Sequence, residues 1–242
     1  MDIHKPRPWH GVREFLKEYL IIVVGVLTAL GAEAGVEAYR WQERTQQTED
    51  HLRQKVHNVT VNIAGRRALQ PCVDAMLDRL QSALETNGDG WRAPFVIRTR
   101  YQQAIVVAPK GSWGAEDWNA AVGDGTANHL PKRELLTYGR FFETVAAFKR
   151  TNEQETDDLA ELNSLASVRR LDPASRTQYL RLLYRVRQDD EGMDHLSDIM
   201  LREAQLLNVK PGALSEYTPG AIRFYRRACA DFRAGKTVID LR

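Results

Sequence analysis

Cysteine is nearly absent from this chain, with two residues in 242, and neither CxxC nor HExxH occurs. The usual zinc-ligand spacings are therefore excluded. A surplus of one charge is missing too: 34 Lys plus Arg stand against 32 Asp plus Glu, which leaves no basic footprint for nucleic acid. A mean hydropathy of -0.46 excludes a chain that crosses a membrane many times. There is no GxSxG elbow, and Gly123-Asp124-Gly125 lacks the following glycine and lysine of a phosphate loop, so it reads as a turn. No internal repeat and no Gly/Ser linker divide the sequence. What remains is room for one good-sized domain plus an anchor.

The single long apolar run is Tyr19 to Ala32, YLIIVVGVLTALGA, without a charge. At about 1.5 Å per residue it covers about 21 Å, and about 27 Å if extended through Glu33 to Val36, against a bilayer core of about 30 Å. Tyr19 at one end and Tyr39 with Trp41 at the other suit the two interfaces. A single transmembrane helix is the favoured reading, over residues 19–39. A cleaved signal peptide competes, with Ala32-Glu33-Ala34 as a small-x-small site, and a buried core helix is the third alternative. Against cleavage, the helical pattern continues past Ala34 without a breaker until Pro71.

Lys5, Arg7, Arg13 and Lys17 precede the span, but Arg40, Arg44, Arg53 and Lys55 follow it closely, so the positive-inside rule gives little bias. A leader of some eighteen residues (1–18) is easily kept inside. The orientation favoured is thus a cytoplasmic N-terminus, with residues 40–242 outside. Within the span, Gly25, Thr28, Ala32 and Gly35 share one helical face, and Gly31 with Gly35 forms a small-xxx-small pair. That face is the candidate for packing against a second copy, although such residues are common in membrane helices anyway. Glu33, near the interface, reads as a solvated carboxylate.

Beyond the span, Trp41, Thr45, Thr48, Leu52, Val56, Val59 and Ile63 recur at steps of three and four, the signature of a helix with one buried stripe. Pro71 is expected to kink or restart this helix, which then ends at Asn87-Gly88-Asp89-Gly90. Phe95-Val96-Ile97 and Ala104-Ile105-Val106-Val107 are β-favouring and form a possible short hairpin. A long helix should start at Leu130-Pro131 and run to about Val168. Asp172-Pro173 and Thr218-Pro219 are cap-plus-proline starts for two more. The tail Thr237 to Leu241 reads as extended. The expected fold is all-α: a membrane helix continuing into a soluble bundle of five or six helices. Cys72 and Cys229 would be joined if the domain is exported, and would be two unrelated buried thiols otherwise.

The residues Glu14 to Leu30, EFLKEYLIIVVGVLTAL, resemble the opening of a group of uncharacterised bacterial single-span membrane proteins, in which a charged F-L-x-E-[YF] leader precedes a V-V-G-V-L-I-A-L span. Trp118 to Gly123, with Leu130 and Leu135-Leu136-Tyr138 after it, is a weaker likeness. The resemblance implies a helical domain outside the cytoplasmic membrane and implies no activity.

Residues with chemical potential are few. Glu191, Asp194, His195 and Asp198 share a helical face that could hold a divalent ion, but read better as solvated. Trp113 and Trp118 around Glu116 and Asp117 could line a small ligand site, though core packing is the simpler account. Asn58-Val59-Thr60 matches a glycosylation sequon but lies mid-helix. No catalytic, cofactor-binding or metal-ligating set is assigned. The leading functional reading is a membrane-tethered interaction or scaffold-like protein in the inner membrane and periplasm. Its expected partners are the lipid bilayer and a protein or second copy, not nucleic acid. The alternatives are an extracytoplasmic ligand-sensing domain and, less favoured, an enzyme.

Overall fold

In the computed structural model, which describes residues 11–86, 90–109 and 111–241, the chain is built on one helix. This helix, α1 (Val12–Glu85), has 74 residues, about 110 Å at 1.5 Å each. Its two halves live in different surroundings. From Leu20 to Leu30 the large apolar side chains are bare, with exposures from 52% at Val24 to 69% at Ile21. From Leu52 onward the stripe Leu52, Val56, Val59, Ile63, Leu69, Val73, Met76, Leu77, Leu80 and Leu84 is buried. The leader before Gly11 and Asn87 to Asp89 of the terminating turn lie outside the described residues.

The expected break at Pro71 does not occur. The helix runs through it, with Pro71 on the exposed side and Leu69, Cys72, Val73 and Met76 buried around it. An interior proline costs about 3 kcal/mol, while each fully buried aliphatic side chain contributes about 1.5–3 kcal/mol. Several such side chains flank the proline, so packing wins.

Two long helices lie along α1. α3 (Lys132–Asn163) runs with it and α4 (Pro173–Leu206) runs against it. Contacts along α1 establish those directions: Trp41 stacks on His129 just before α3, Arg53 donates to the carbonyl of Leu207 just after α4, and Arg176 near the start of α4 reaches the carbonyl of Leu84. The start of α4 is the one the sequence announces: Asp172 accepts from the Ser175 amide at 3.0 Å, and Pro173 opens the helix. α2 (Glu116–Gly123) is short, and the chain turns away two residues later at Gly125, whose φ of 83° needs glycine. α5 (Pro219–Arg233) opens on its proline, and Gly235, with φ 76°, closes it.

β1 (Val96–Arg98) and β2 (Gln103–Ala104) form the anticipated hairpin, paired Ile97 to Ala104 and Arg98 to Gln103. The second apolar run leaves the ladder after Ala104. There, the Asn163 side chain accepts from the amides of Ile105 and Val106, both at 2.8 Å, and donates to the carbonyl of Val106. β3 (Val238–Asp240) joins β1 in parallel, making a three-stranded sheet in the order β2-β1-β3. The extended tail was foreseen, but its partner was not.

The segment between α4 and α5 straps across α1. Gly212 donates its amide to Thr60 Oγ1 at 2.7 Å. The Tyr217 ring lies so close to Gly65 that a Cβ there would sit 2.3 Å from Tyr217 Cδ2. Cys72 and Cys229 are at disulfide distance, with sulfurs 2.12 Å and Cα atoms 5.9 Å apart, joining α1 to α5.

Candidate functional site

The apolar interior is split in two. One cluster gathers Leu52 to Ile63 of α1, Tyr138 to Phe148 of α3 and Met193 to Ala204 of α4. The other gathers Cys72 to Leu84, Leu159 to Leu165, Leu182 to Val186 and the sheet residues Ile97 and Ile239. Between them lies a polar layer contributed by the same three helices. Arg66 Nη2 donates to Glu155 Oε1 at 2.7 Å and to Asp190 Oδ1 at 2.5 Å. Side-chain exposures of 7% for Arg66, 1% for Glu155 and 8% for Asp190 make this a desolvated triad. Glu155 Oε2 also accepts from Asn152 at 3.0 Å, and Asp158 accepts from Arg185 at 2.6 Å.

Carboxyls outnumber cations here. Among the described residues, Glu155, Asp158, Asp189 and Asp190 face two cations, Arg66 and Arg185. Burial, and then repulsion from Glu155, push the Asp190 carboxyl up to about 7, against the pull of Arg66. Burial likewise raises Asp189, helped by Asp158 and Glu155. The layer therefore holds a proton near neutrality that an isolated aspartate would have released.

Sequence reasoning missed this triad, though a signal for it exists. Each of the three apolar stripes is interrupted by charged or amide residues at the same level, at Arg66 between Ile63 and Leu69, at Asn152 and Glu155 between Phe148 and Leu159, and at Asp190 between Val186 and Met193. Interruptions at matching heights on three packed helices mark one shared polar layer.

The candidates named from sequence are placed as follows. Gly25, Thr28, Ala32 and Gly35 lie on the bare stretch of α1 and touch no other part of the described chain; the Thr28 hydroxyl donates back to the Val24 carbonyl at 2.7 Å. Glu33 is exposed beside them. Asp194 and Asp198 are drawn to Arg67 at 2.8 and 2.6 Å, and among the described residues no group of three or more His, Cys, Asp or Glu could hold a metal ion. Trp113 packs on Phe148 at 4.1 Å between ring centres, Trp118 stacks on Phe142 at 5.9 Å, and Glu116 with Asp117 faces Lys55. Both rings pack on α3 aromatics of the core.

A separate cleft of about 580 Å³ opens between α3, the hairpin and α5. Val107, Pro109, Leu159, Phe224 and Tyr225 give it apolar walls, while Gln103 and Thr156 add polar groups. Tyr225 is fixed there by donating its hydroxyl to the Ala108 carbonyl at 2.8 Å.

The strap over α1 carries its own titrating group. His57 Nε2 lies 2.7 Å from Glu216 Oε2 and Nδ1 lies 3.0 Å from the Lys210 carbonyl. The carbonyl first, and then Glu216, raise the His57 pKa above its ordinary value. A raised histidine pKa stabilises the fold fully below the unfolded-state value of about 6.5, and the benefit disappears as pH rises through the folded-state value. The strap should therefore loosen on the alkaline side. Chymotryptic cleavage at Tyr217 should accelerate with pH beyond the protease's own profile, and His57→Gln should abolish that extra dependence.

No known protein family model, curated protein or solved structure matches this chain.

Proposed function

We propose that the protein is a membrane-tethered interaction module, anchored by residues 19–39 with its helical domain (40–242) on the extracytoplasmic side of a bacterial inner membrane. One observation carries the reading: the bare apolar stretch and the core of the domain are parts of a single helix. Seven large side chains between Leu20 and Leu30 stand in solvent unless lipid or protein covers them, a cost of roughly 10–20 kcal/mol at 1.5–3 kcal/mol each. An 18-residue window of this helix has a mean hydropathy of 2.0 and none of it is buried. The Cys72–Cys229 pair at disulfide distance favours an oxidising compartment. The Gly25, Thr28, Ala32, Gly35 face suits close approach of a second copy within the bilayer. An unbroken helix holds the domain at a fixed height above the membrane, as a docking module requires.

Alkaline extraction of membranes should leave the full-length chain in the pellet, while Val24→Arg with Leu27→Arg should move it to the supernatant. A periplasm-active reporter fused at the C-terminus should be active and a cytoplasm-active one silent. Recovery of the unaltered chain in the supernatant, or the opposite reporter pattern, overturns the anchor or the orientation respectively.

A further inference from the structure

We infer that the outer face of α5 and the adjoining α3–α5 cleft form one docking site for an acidic peptide segment of a partner protein, with an apolar side chain of that segment entering the cleft. This rests on the reading of the domain as an interaction module and names its partner's chemistry.

The charge is concentrated. α5 carries Arg223, Arg226, Arg227 and Arg233, all exposed, and none forms an ion pair among the described residues. At 100° per residue they fall within an arc of about 120°, opposite the buried Ala228 and Phe232. The helix's one acid, Asp231, is occupied by Lys236 at 2.7 Å. Six arginines elsewhere, Arg53, Arg66, Arg67, Arg140, Arg185 and Arg187, meet carboxylates, whereas α5 gathers four without one on a single face. Guanidiniums are suited to bidentate recognition of carboxylates, more so than lysine.

The cleft supplies the second half. Phe224 and Tyr225 wall it from the same helix turn that carries Arg223, Arg226 and Arg227. Its one charged lining residue, Glu155, is 0% exposed and already bound by Arg66. A neutral, partly apolar cleft beside a cationic ridge fits a peptide that alternates acidic and apolar side chains.

Position narrows the partner. α5 lies along α1 between Gly65, under Tyr217, and Arg79, whose guanidinium sits 5.6 Å above the Phe232 ring. Counted from Val36, that is about 44–65 Å along the helix, several times the Debye length of about 8 Å. Headgroups of the protein's own bilayer are out of reach. The ridge spans only about 15 Å, and the exposed Asp157 and Glu161 directly follow the cleft residues Thr156 and Ala160. A long phosphate backbone would press against those carboxylates, whereas a short peptide need not.

The test uses the full chain in detergent micelles and three fluorescent probes: a peptide of glutamates interspersed with phenylalanine, an all-glutamate peptide, and a single-stranded oligonucleotide. The Glu/Phe peptide should bind saturably at low salt and weaken as salt is raised. Arg226→Glu with Arg227→Glu should reduce its affinity roughly tenfold or more, and the milder Arg226→Gln with Arg227→Gln should reduce it less. Ala160→Trp, which intrudes on the cleft, should weaken the Glu/Phe peptide and spare the all-glutamate one. Circular dichroism should show every variant folded. Absence of saturable Glu/Phe binding, binding unchanged by the arginine variants, or tighter binding of the oligonucleotide would each overturn the assignment. None of these outcomes bears on membrane extraction, so failure here is separable from failure of the anchor.

Discussion

Arg66→Met should lower the stability of the domain by about 3–5 kcal/mol, the usual consequence of leaving buried carboxylates without their cation. Glu155 and Asp190 both hydrogen-bond to the same guanidinium nitrogen, so its loss strands two acids at once. The damage should depend on pH, because a stranded carboxyl can escape by taking a proton. Chemical denaturation should therefore show a large deficit at pH 8 and a smaller one at pH 5. Replacing the triad together, as Arg66→Met, Glu155→Leu and Asp190→Leu, should recover most or all of the loss, since an apolar set removes the desolvation cost with the ion pair. Recovery would show that the triad sets the alignment of the three helices without supplying their stability. Failure of the triple variant to recover would mean that the layer does more than hold charges.

Asp190 also reports on the unaltered protein. Its folded-state pKa, pushed up to about 7, lies above the unfolded value of about 3.9. The stability tied to its proton is full below about pH 4 and declines as pH rises through about 7. Asp190→Asn cannot titrate. It should therefore match the parent near pH 4 and gain on it steadily toward pH 8, keeping a hydrogen-bonding partner for Arg66. An advantage that shrank with rising pH would refute the sign of the shift.

Where the sequence could be read, a local rule had no competitor. The stripe from Trp41 to Ile63 and the Asp172-Pro173 start depend on residues a few positions apart, and the structure has both. Pro71 misled because the local rule was opposed by burial on both sides of the proline. The β3 pairing was hidden because its partner β1 lies some 140 positions earlier, and no local pattern encodes parallel register. Asn163 was invisible for a related reason: its amide replaces a strand for Ile105 and Val106 across 58 and 57 positions. The α5 ridge was concealed by averaging. Counted over the chain, charge nearly cancels; on one helix it does not, and only the fold shows that its arginines share one exposed face.

Loss of the Cys72–Cys229 link should be the other large effect. The two positions are 157 residues apart, and a loop of that length corresponds to about 5 kcal/mol in the chain-entropy account. Cys229→Ser, and reduction of the parent, should shift the denaturation midpoint by the same amount, while reduction of the variant should shift it no further. The placement of the link makes the local consequence specific. Outside the link, α5 holds to the rest of the domain through its two buried side chains, Ala228 and Phe232, the Tyr225 hydroxyl on the Ala108 carbonyl, and the edge strand β3. Amides of α5 should lose hydrogen-exchange protection before those of α3 and α4, which contribute to both apolar clusters. In living cells both thiols should resist maleimide until a reductant is added. Thiols that react at once would place the domain in a reducing compartment and reverse the orientation proposed for the anchor.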